Sequence, residues 1–226
     1  MVFKKEDMEE RVKDLPALRD KMSGQLAALG LTAGSFYLFL RAFKVERILE
    51  VWIQAIGDEL WQHLSSYPFC ETSGQPGPKR QEGDRQIPEG LYHIDRFNPR
   101  SKFHLSLGLN YPNPSDLTLG HPEQPGCDIF IHGGCKTVGC IAITDAGIEE
   151  IYLLASWAQT NGQKKIPVHI YPFRFLSENW NKYGPEYPRH HKLWTQLETI
   201  DQVFEASWQL PAFEISDAGD YRIKRI

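Results

Sequence analysis

The stretch Ile131-His132-Gly133-Gly134-Cys135-Lys136-Thr137-Val138-Gly139-Cys140 places one histidine and two cysteines within nine residues. Before it, Asp128-Ile129-Phe130-Ile131 reads as a short buried strand. After it the pattern turns helical. Thr144 suits an N-cap, Asp145 suits a first turn, and Ile148, Ile151, Tyr152 and Ala155 fall on one face. The chain therefore runs from a strand through a glycine-rich turn into a helix. A cysteine at such a turn has exposed backbone N–H groups around its sulfur.

Three chemistries compete for these residues. His132, Cys135 and Cys140 are zinc-ligand types, but a structural site needs a fourth ligand, and Cys127 and His121 are poorly spaced to supply it. Buried cysteines also act as small hydrophobes, which suits Cys70 and Cys127 beside strand-like runs and suits Cys140 poorly. The third chemistry is nucleophilic. A thiol with an ordinary pKa near ~8.5 is mostly protonated at neutral pH. A histidine within reach can take its proton and later return it to a leaving amine. Gly139 allows close backbone approach for oxyanion donors.

Working outward, Ser35 to Phe43 and Arg47 to Ile53 read as a hairpin of aromatic and β-branched residues, and Glu59 to Phe69 as a further strand. Thr72 to Asp84 is a long Gly/Pro/charged loop of the kind that often carries function. Leu91 to Phe97, Phe103 to Leu109 and Pro167 to Phe175 read as strands, with loops over Tyr111 to Ser115 and Gly120 to Gly126. At the N-terminus Met8, Val12, Leu15, Leu18, Met22, Leu26 and Leu29 recur at helical steps, with Pro16 as a break or second start. Towards the C-terminus a helix is expected over His191 to Ala206 and a last extended piece over Ile215 to Ile223. Trp180, Trp194 and Trp208 are read as packing residues, and His93, His104 and His169 as structural histidines. His190 and His191 read as surface.

The composition is globular, with 41% hydrophobic and 24% charged residues. A net charge of −4 gives no general attraction to nucleic acid, so any anion-binding patch must be local. Four cysteines are too few for a disulfide scaffold at 226 residues. The longest apolar stretch, Phe36 to Leu40, is far below the roughly 18–20 residues of a membrane span. Residues 1–30 do not read as a signal peptide, which fits either a cytoplasmic chain or a mature form.

The Ile-His-Gly to Gly-Cys signature resembles that of the L,D-transpeptidase (YkuD) catalytic domain, in its YafK-like murein L,D-transpeptidase branch. Gly77 to Tyr92, with Ile87-Pro88-Glu89-Gly90-Leu91-Tyr92 after Gly83-Asp84, resembles a strand pair of that family, and Ser106 to Asn113 and the helix from Asp145 follow in the expected order. The resemblance covers about Phe36 to Phe175. It implies a mostly β (α+β) fold, a sandwich or barrel-like catalytic domain over 35–176, an N-terminal helical segment over 1–34 and a C-terminal helix and strand extension over 177–226.

The resemblance also implies roles. Cys140 is the expected acyl-accepting nucleophile and His132 its base. The Gly133 carbonyl would orient the imidazole, and the N–H groups of Gly139 and Cys140 would line the oxyanion hole. Cys135 is the rival nucleophile, and a disulfide from Cys135 to another cysteine is compatible with an oxidising compartment. Lys79, Arg80 and Arg85 are expected to grip substrate carboxylates, and Tyr111 to wall the cleft. Lys136 is a candidate to lower the thiol pKa.

The implied substrate is the diaminopimelate-containing stem peptide of peptidoglycan, handled through a thioester. One alternative is an amidase of the same family that releases a lipoprotein from diaminopimelate, and another is an inactive wall-binding scaffold. The implied place is the periplasm or cell envelope, with no cofactor, metal, nucleic acid or transmembrane segment. The chain departs from the broader family at Val138, where a second histidine is usual, and at Ala142, where Arg or Asn is usual. Those departures fit a different acceptor or a hydrolytic outcome.

Overall fold

The computed structural model describes Val12 and residues 15–224. Met8, at the start of the expected N-terminal helix, lies outside the described residues. Within them that helix is α1 (Pro16–Ala27), with Pro16 in its first turn where a missing N–H costs nothing. Its Met22 and Leu26 are buried.

The framework is one eight-stranded mixed sheet. Its strands are β1 (Phe36–Phe43), β2 (Ile48–Ala55), β3 (Gln62–Pro68), β4 (Gly90–Asn98), β5 (Ser106–Leu109), β6 (Phe130–His132), β7 (Ile141–Ala142) and β8 (Ile166–Tyr171). The order across the sheet is β3-β2-β1-β8-β4-β5-β6-β7. Only the β1–β8 and β6–β7 pairs are parallel. The hairpin read from Ser35 to Ile53 is β1–β2, in unbroken register from Phe36 opposite Ala55 to Phe43 opposite Ile48.

The two edges of this sheet meet. Just past β3, Cys70 N–H donates to the Ala142 carbonyl at 3.0 Å, and Glu71 bridges to Ala142 on β7. A disulfide from Cys70 to Cys135 fastens the same place. The sheet is thus curled almost to closure, which removes the open edge that a seven- or eight-stranded array otherwise presents.

Alternation along β1 shows why it lies at the centre. Phe36, Leu38, Leu40 and Ala42 point into the main core, whereas Phe39 and Phe43 join separate clusters on the opposite face. Helix α3 (Asp145–Thr160) fills the main core. Its Ile148, Ile151, Tyr152, Leu153, Leu154 and Ala155 are fully buried, as expected for a helix apolar all round. Thr144 caps it by accepting from Gly147 N–H at 3.1 Å.

The opposite face is covered by α4 (Ser177–Glu186) and α5 (His191–Ser207), joined by a 3-10 turn at Pro188–His190. Arg41, between Phe39 and Phe43, pairs with Glu50 on the neighbouring β2 at 2.7 Å and ties α5 down through Asp201 at 3.0 Å, under Phe43, Trp52 and Phe204. Trp194 is fully buried in this layer, while Trp208 stacks on Trp52 at the end of α5.

Three segments differ from the sequence reading. The loop expected over Tyr111 to Ser115 leads into a short helix, α2 (Pro114–Leu119), because Asn113 and Asp116 form a capping box. Helix α4 carries Pro185 near its end, and its polar sequence masked it. The last extended piece is a hairpin of β9 (Phe213–Ile215) and β10 (Tyr221–Ile223), folded back at a turn through Gly219.

The long loop from Thr72 is also held. Lys44 Nζ, buried, donates to the carbonyls of Gly77 and Ile87 at 2.7 and 2.8 Å and pairs with Glu89 at 2.9 Å. Glu89 in turn accepts from Gly77 N–H and Trp194 Nε1. The middle of the loop and the segment just after it are therefore pinned to one ion pair.

Candidate active site

His132 is fixed through its backbone by neighbours on both sides of β6. It stands opposite Ser106 on β5 and Ala142 on β7. Its carbonyl accepts from Ile143 N–H at 2.9 Å, and the next N–H, of Gly133, donates to Leu105 at 3.2 Å. The imidazole Nδ1 lies 2.6 Å from the Gly133 carbonyl. A carbonyl only accepts, so Nδ1 carries the proton and Nε2 keeps its lone pair. Phe103 packs on the ring at 4.7 Å. Burial holds the His132 pKa below its ordinary value, against the opposing pull of the Gly133 bond. The ring is neutral at pH 7.

Gly133 leaves no room for a side chain, since a Cβ there would meet Asp145 Oδ1 at 2.5 Å. The Asp145 carboxylate, in the first turn of α3, accepts from Gly134 N–H at 2.7 Å and so clamps the turn after the histidine.

Cys140 follows Gly139, whose φ of +84° suits glycine. The sulfur accepts from Phe130 N–H at 3.4 Å, and its S–H is directed to the Asp128 carbonyl at 3.7 Å. Burial pushes the thiol pKa up, while the Phe130 N–H and the positive charge of Lys79 partly oppose this. The resting group is a thiol. Gly139 N–H donates to Ser73 Oγ at 2.7 Å, and Cys140 N–H donates to Thr137 Oγ1 at 3.2 Å. Both candidate oxyanion donors thus rest on neutral hydroxyl oxygens, which are weaker acceptors than a developing oxyanion.

His132 and Cys140 line one cavity of about 210 Å³, together with Lys102, Phe103, Ser106 and Phe130. From the sequence, Phe103, Ser106 and Phe130 read only as strand residues. The alternation of Phe103 to Leu109 held the signal, but not that β5 runs beside the histidine. Ser73, Thr137 and Asp145 support the site from segments whose proximity no spacing reveals.

The other cysteines sort cleanly. Cys70, expected to pack as a small hydrophobe, is bonded to Cys135 across 65 residues of sequence, because closure of the sheet brings β3's end onto the turn between His132 and Cys140. Cys135 therefore holds no free thiol in this state. Cys127, also expected to pack, is exposed and free, beside Asp128. Among the described residues no group of three His, Cys, Asp or Glu is placed to hold a metal ion.

The expected substrate-gripping residues do not converge on the cavity of His132 and Cys140. Lys79 is buried, with Nζ on Asp84 at 2.7 Å and on the Gln81 carbonyl at 2.9 Å. It lines a neighbouring cavity with Arg85, Cys127, Asp128 and Val138. Arg80 turns the other way, onto Asp116 at 3.2 Å. Tyr111 is buried, its hydroxyl donating to the Pro125 carbonyl at 2.7 Å, and does not line the cavity of His132 and Cys140. Its ring fills the core instead.

No family model matches the chain. A curated relative does: "Putative L,D-transpeptidase YafK" of Escherichia coli K12 is 33% identical over 190 residues, which span 83% of this chain and 74% of the relative. The protein of the same name from E. coli O157:H7 aligns to the same extent. The chain belongs to the L,D-transpeptidase family. Its fold, a curled mixed sheet with helices, is the α+β architecture that this membership implies.

Solved structures with a related course include the helical cell shape determining protein Pgp2 from Campylobacter jejuni. Its TM-score is 0.47 at 19% identity, over 87% of this chain and 80% of that one. Bd1075 from Bdellovibrio bacteriovorus has a TM-score of 0.45 at 20% identity, over 77% of this chain and 62% of that one. As an L,D-transpeptidase-family member the chain is related to peptidoglycan enzymes and the cell envelope. Among its described residues no helix is long and apolar enough to cross a membrane.

Proposed function

We propose that this chain is a cysteine acyl-transfer enzyme acting on diaminopimelate-containing stem peptides of peptidoglycan, in the periplasm, with Cys140 as nucleophile. The observation that carries this is the shared cavity of His132 and Cys140, with Nδ1 of the histidine committed to Gly133 and Nε2 left as a base.

The first half-reaction begins with a neutral pair. As substrate enters, the Cys140 side chain rotates from the Asp128 carbonyl towards Nε2. The proton passes to His132 while the sulfur attacks the amide carbon. The carbonyl π pair moves to oxygen, and the Gly139 and Cys140 N–H groups exchange their hydroxyl partners for that charge. Collapse breaks the C–N bond, and His132 returns the proton to the departing amine. The product is a thioester on Cys140. An amine acceptor then gives a cross-link, or water gives the free acid, with His132 again moving the proton. A lipoprotein-linked amide at diaminopimelate would be opened by the same sequence ending in water.

Incubation with purified muropeptides and with lipoprotein-linked muropeptides, followed by mass spectrometry, tests the proposal. The expected outcome is a new cross-linked or released product together with a thioester adduct at Cys140, both absent from Cys140→Ala. Product formation by Cys140→Ala equal to wild type would sink it. A folded protein that forms neither adduct nor product would favour the wall-binding scaffold.

A further inference from the structure

Arg80, misplaced for the catalytic cavity, points to another one. A pocket of about 300 Å³ lies where the long loop meets the C-terminal helices, and it shares no lining residue with the cavity of His132 and Cys140. Arg80 enters it from the loop, while Arg189 and Lys192 enter from the 3-10 turn and the first turn of α5. Leu119 and Leu193 give it an apolar floor, and Gln196 adds an amide.

Three permanent cations around one concavity stand out on a chain of net charge −4. The lining also holds the Asp220 carboxylate, which the three cations outnumber, and that excess of positive charge raises the local concentration of anionic ligand. Two of the three cations have a carboxylate partner. Lys192 pairs with Asp220 at 2.7 Å, but its side chain is 71% exposed, so that pair contributes little and exchanges readily. Among the described residues Arg189 has no carboxylate partner. Its Nε donates to His190 Nε2 at 3.1 Å, leaving the terminal nitrogens of its fork for a ligand. Arg80 shares Asp116 with Tyr92 and the Asn113 N–H, and keeps 27% of its side chain exposed.

We propose that this pocket is a second, non-catalytic binding site for a peptide carrying two or more carboxylates, with Arg189 and Lys192 as its main anchors. Bidentate arginine suits a carboxylate, and the leucine floor suits the aliphatic stem between two of them. The choice of a stem-type peptide rests on the reading given under Proposed function.

The experiment is calorimetric titration of the full chain with the tripeptide L-alanyl-γ-D-glutamyl-meso-diaminopimelate, and separately with inorganic phosphate. The set of proteins is wild type, Cys140→Ala and the exposed pair Arg189→Gln/Lys192→Gln, with thermal melting to confirm folding. The tripeptide is expected to bind wild type and Cys140→Ala alike, and about tenfold or more weakly to the double variant. Tripeptide affinity that is unchanged in the double variant would overturn the site. So would phosphate displacing the tripeptide with equal affinity, since the pocket would then be a plain anion sink.

The two readings fail separately. Loss of the site with muropeptide turnover intact removes only this proposal. Arg189- and Lys192-dependent binding without turnover removes only the proposed reaction.

Discussion

At the scale of the residue, the pair His132 and Cys140 is set up as neutral base and neutral thiol. Burial lowers the histidine pKa from its ordinary 6.5 and raises the thiol pKa from 9.0. The form the proposed reaction needs, with the imidazole unprotonated and the thiol still protonated, is then populated across neutral pH. We expect kcat/KM to be level there and to fall on acidification only below about pH 6.5, as His132 takes up a proton. His132→Ala should lower kcat by about 10²- to 10⁴-fold. A pH–rate profile on a muropeptide substrate checks this, and an acid limb centred above pH 7 would contradict the buried, uncharged imidazole. The turn at Cys140 was legible in the sequence, because Gly139 and the helix start after it mark one. The commitment of Cys135 to Cys70 was not, because 65 residues separate them and only closure of the sheet makes them neighbours.

At the scale of the element, the decisive contact is between the end of β3 and β7. The disulfide, the Cys70–Ala142 hydrogen bond and the Ser73–Gly139 hydrogen bond all fall within this seam. Chain-entropy reasoning puts the disulfide at about 4 kcal/mol for a loop of this length. We expect Cys70→Ser/Cys135→Ser, or wild type in dithiothreitol, to melt at a lower temperature and to acylate Cys140 more slowly. Melting curves and adduct formation with and without reductant test it. An identical melting temperature, with both thiols shown to be free, would mean that the seam does not need the bond. The strands themselves were legible from period-two patterning and β-branched content. Helices α2 and α4 were not. The first rests on a reciprocal cap between Asn113 and Asp116, and the second is too polar to show a buried face.

At the scale of the whole molecule, the sheet is buried on both faces, and the price of that is a set of titratable groups in the interior. His169 on β8 is enclosed by Phe39 at 4.7 Å and by Tyr171, whose hydroxyl lies 3.0 Å from Nδ1. Burial, with the nearby Arg41 charge, pushes its pKa down to about 3. Between that value and the unfolded value near 6.5 the unfolded chain binds a proton that the folded chain refuses. Stability is therefore complete above about pH 6.5 and falls as pH drops, by about 2 kcal/mol at pH 5. Asp201, which burial raises to about 6, works in the opposite direction, so the His169 effect is isolated by comparison with a variant. Urea denaturation of wild type and His169→Phe from pH 7 to 4.5 should show the wild type losing more stability than the variant on acidification. Parallel curves would refute a neutral His169.

By itself the sequence determined which segments are strands and where a histidine and a Gly-Cys pair flank a turn, since periodicity, turn residues and the Gly-Cys signature are local properties. It also determined the family, because the signature and its flanking strands keep their order along the chain. Only the tertiary structure decided which cysteine is free, where Lys79, Arg80 and Tyr111 point, and what surrounds His132. Those depend on contacts between segments far apart in sequence, made when the curled sheet brings its two edges together and the C-terminal helices cover its outer face.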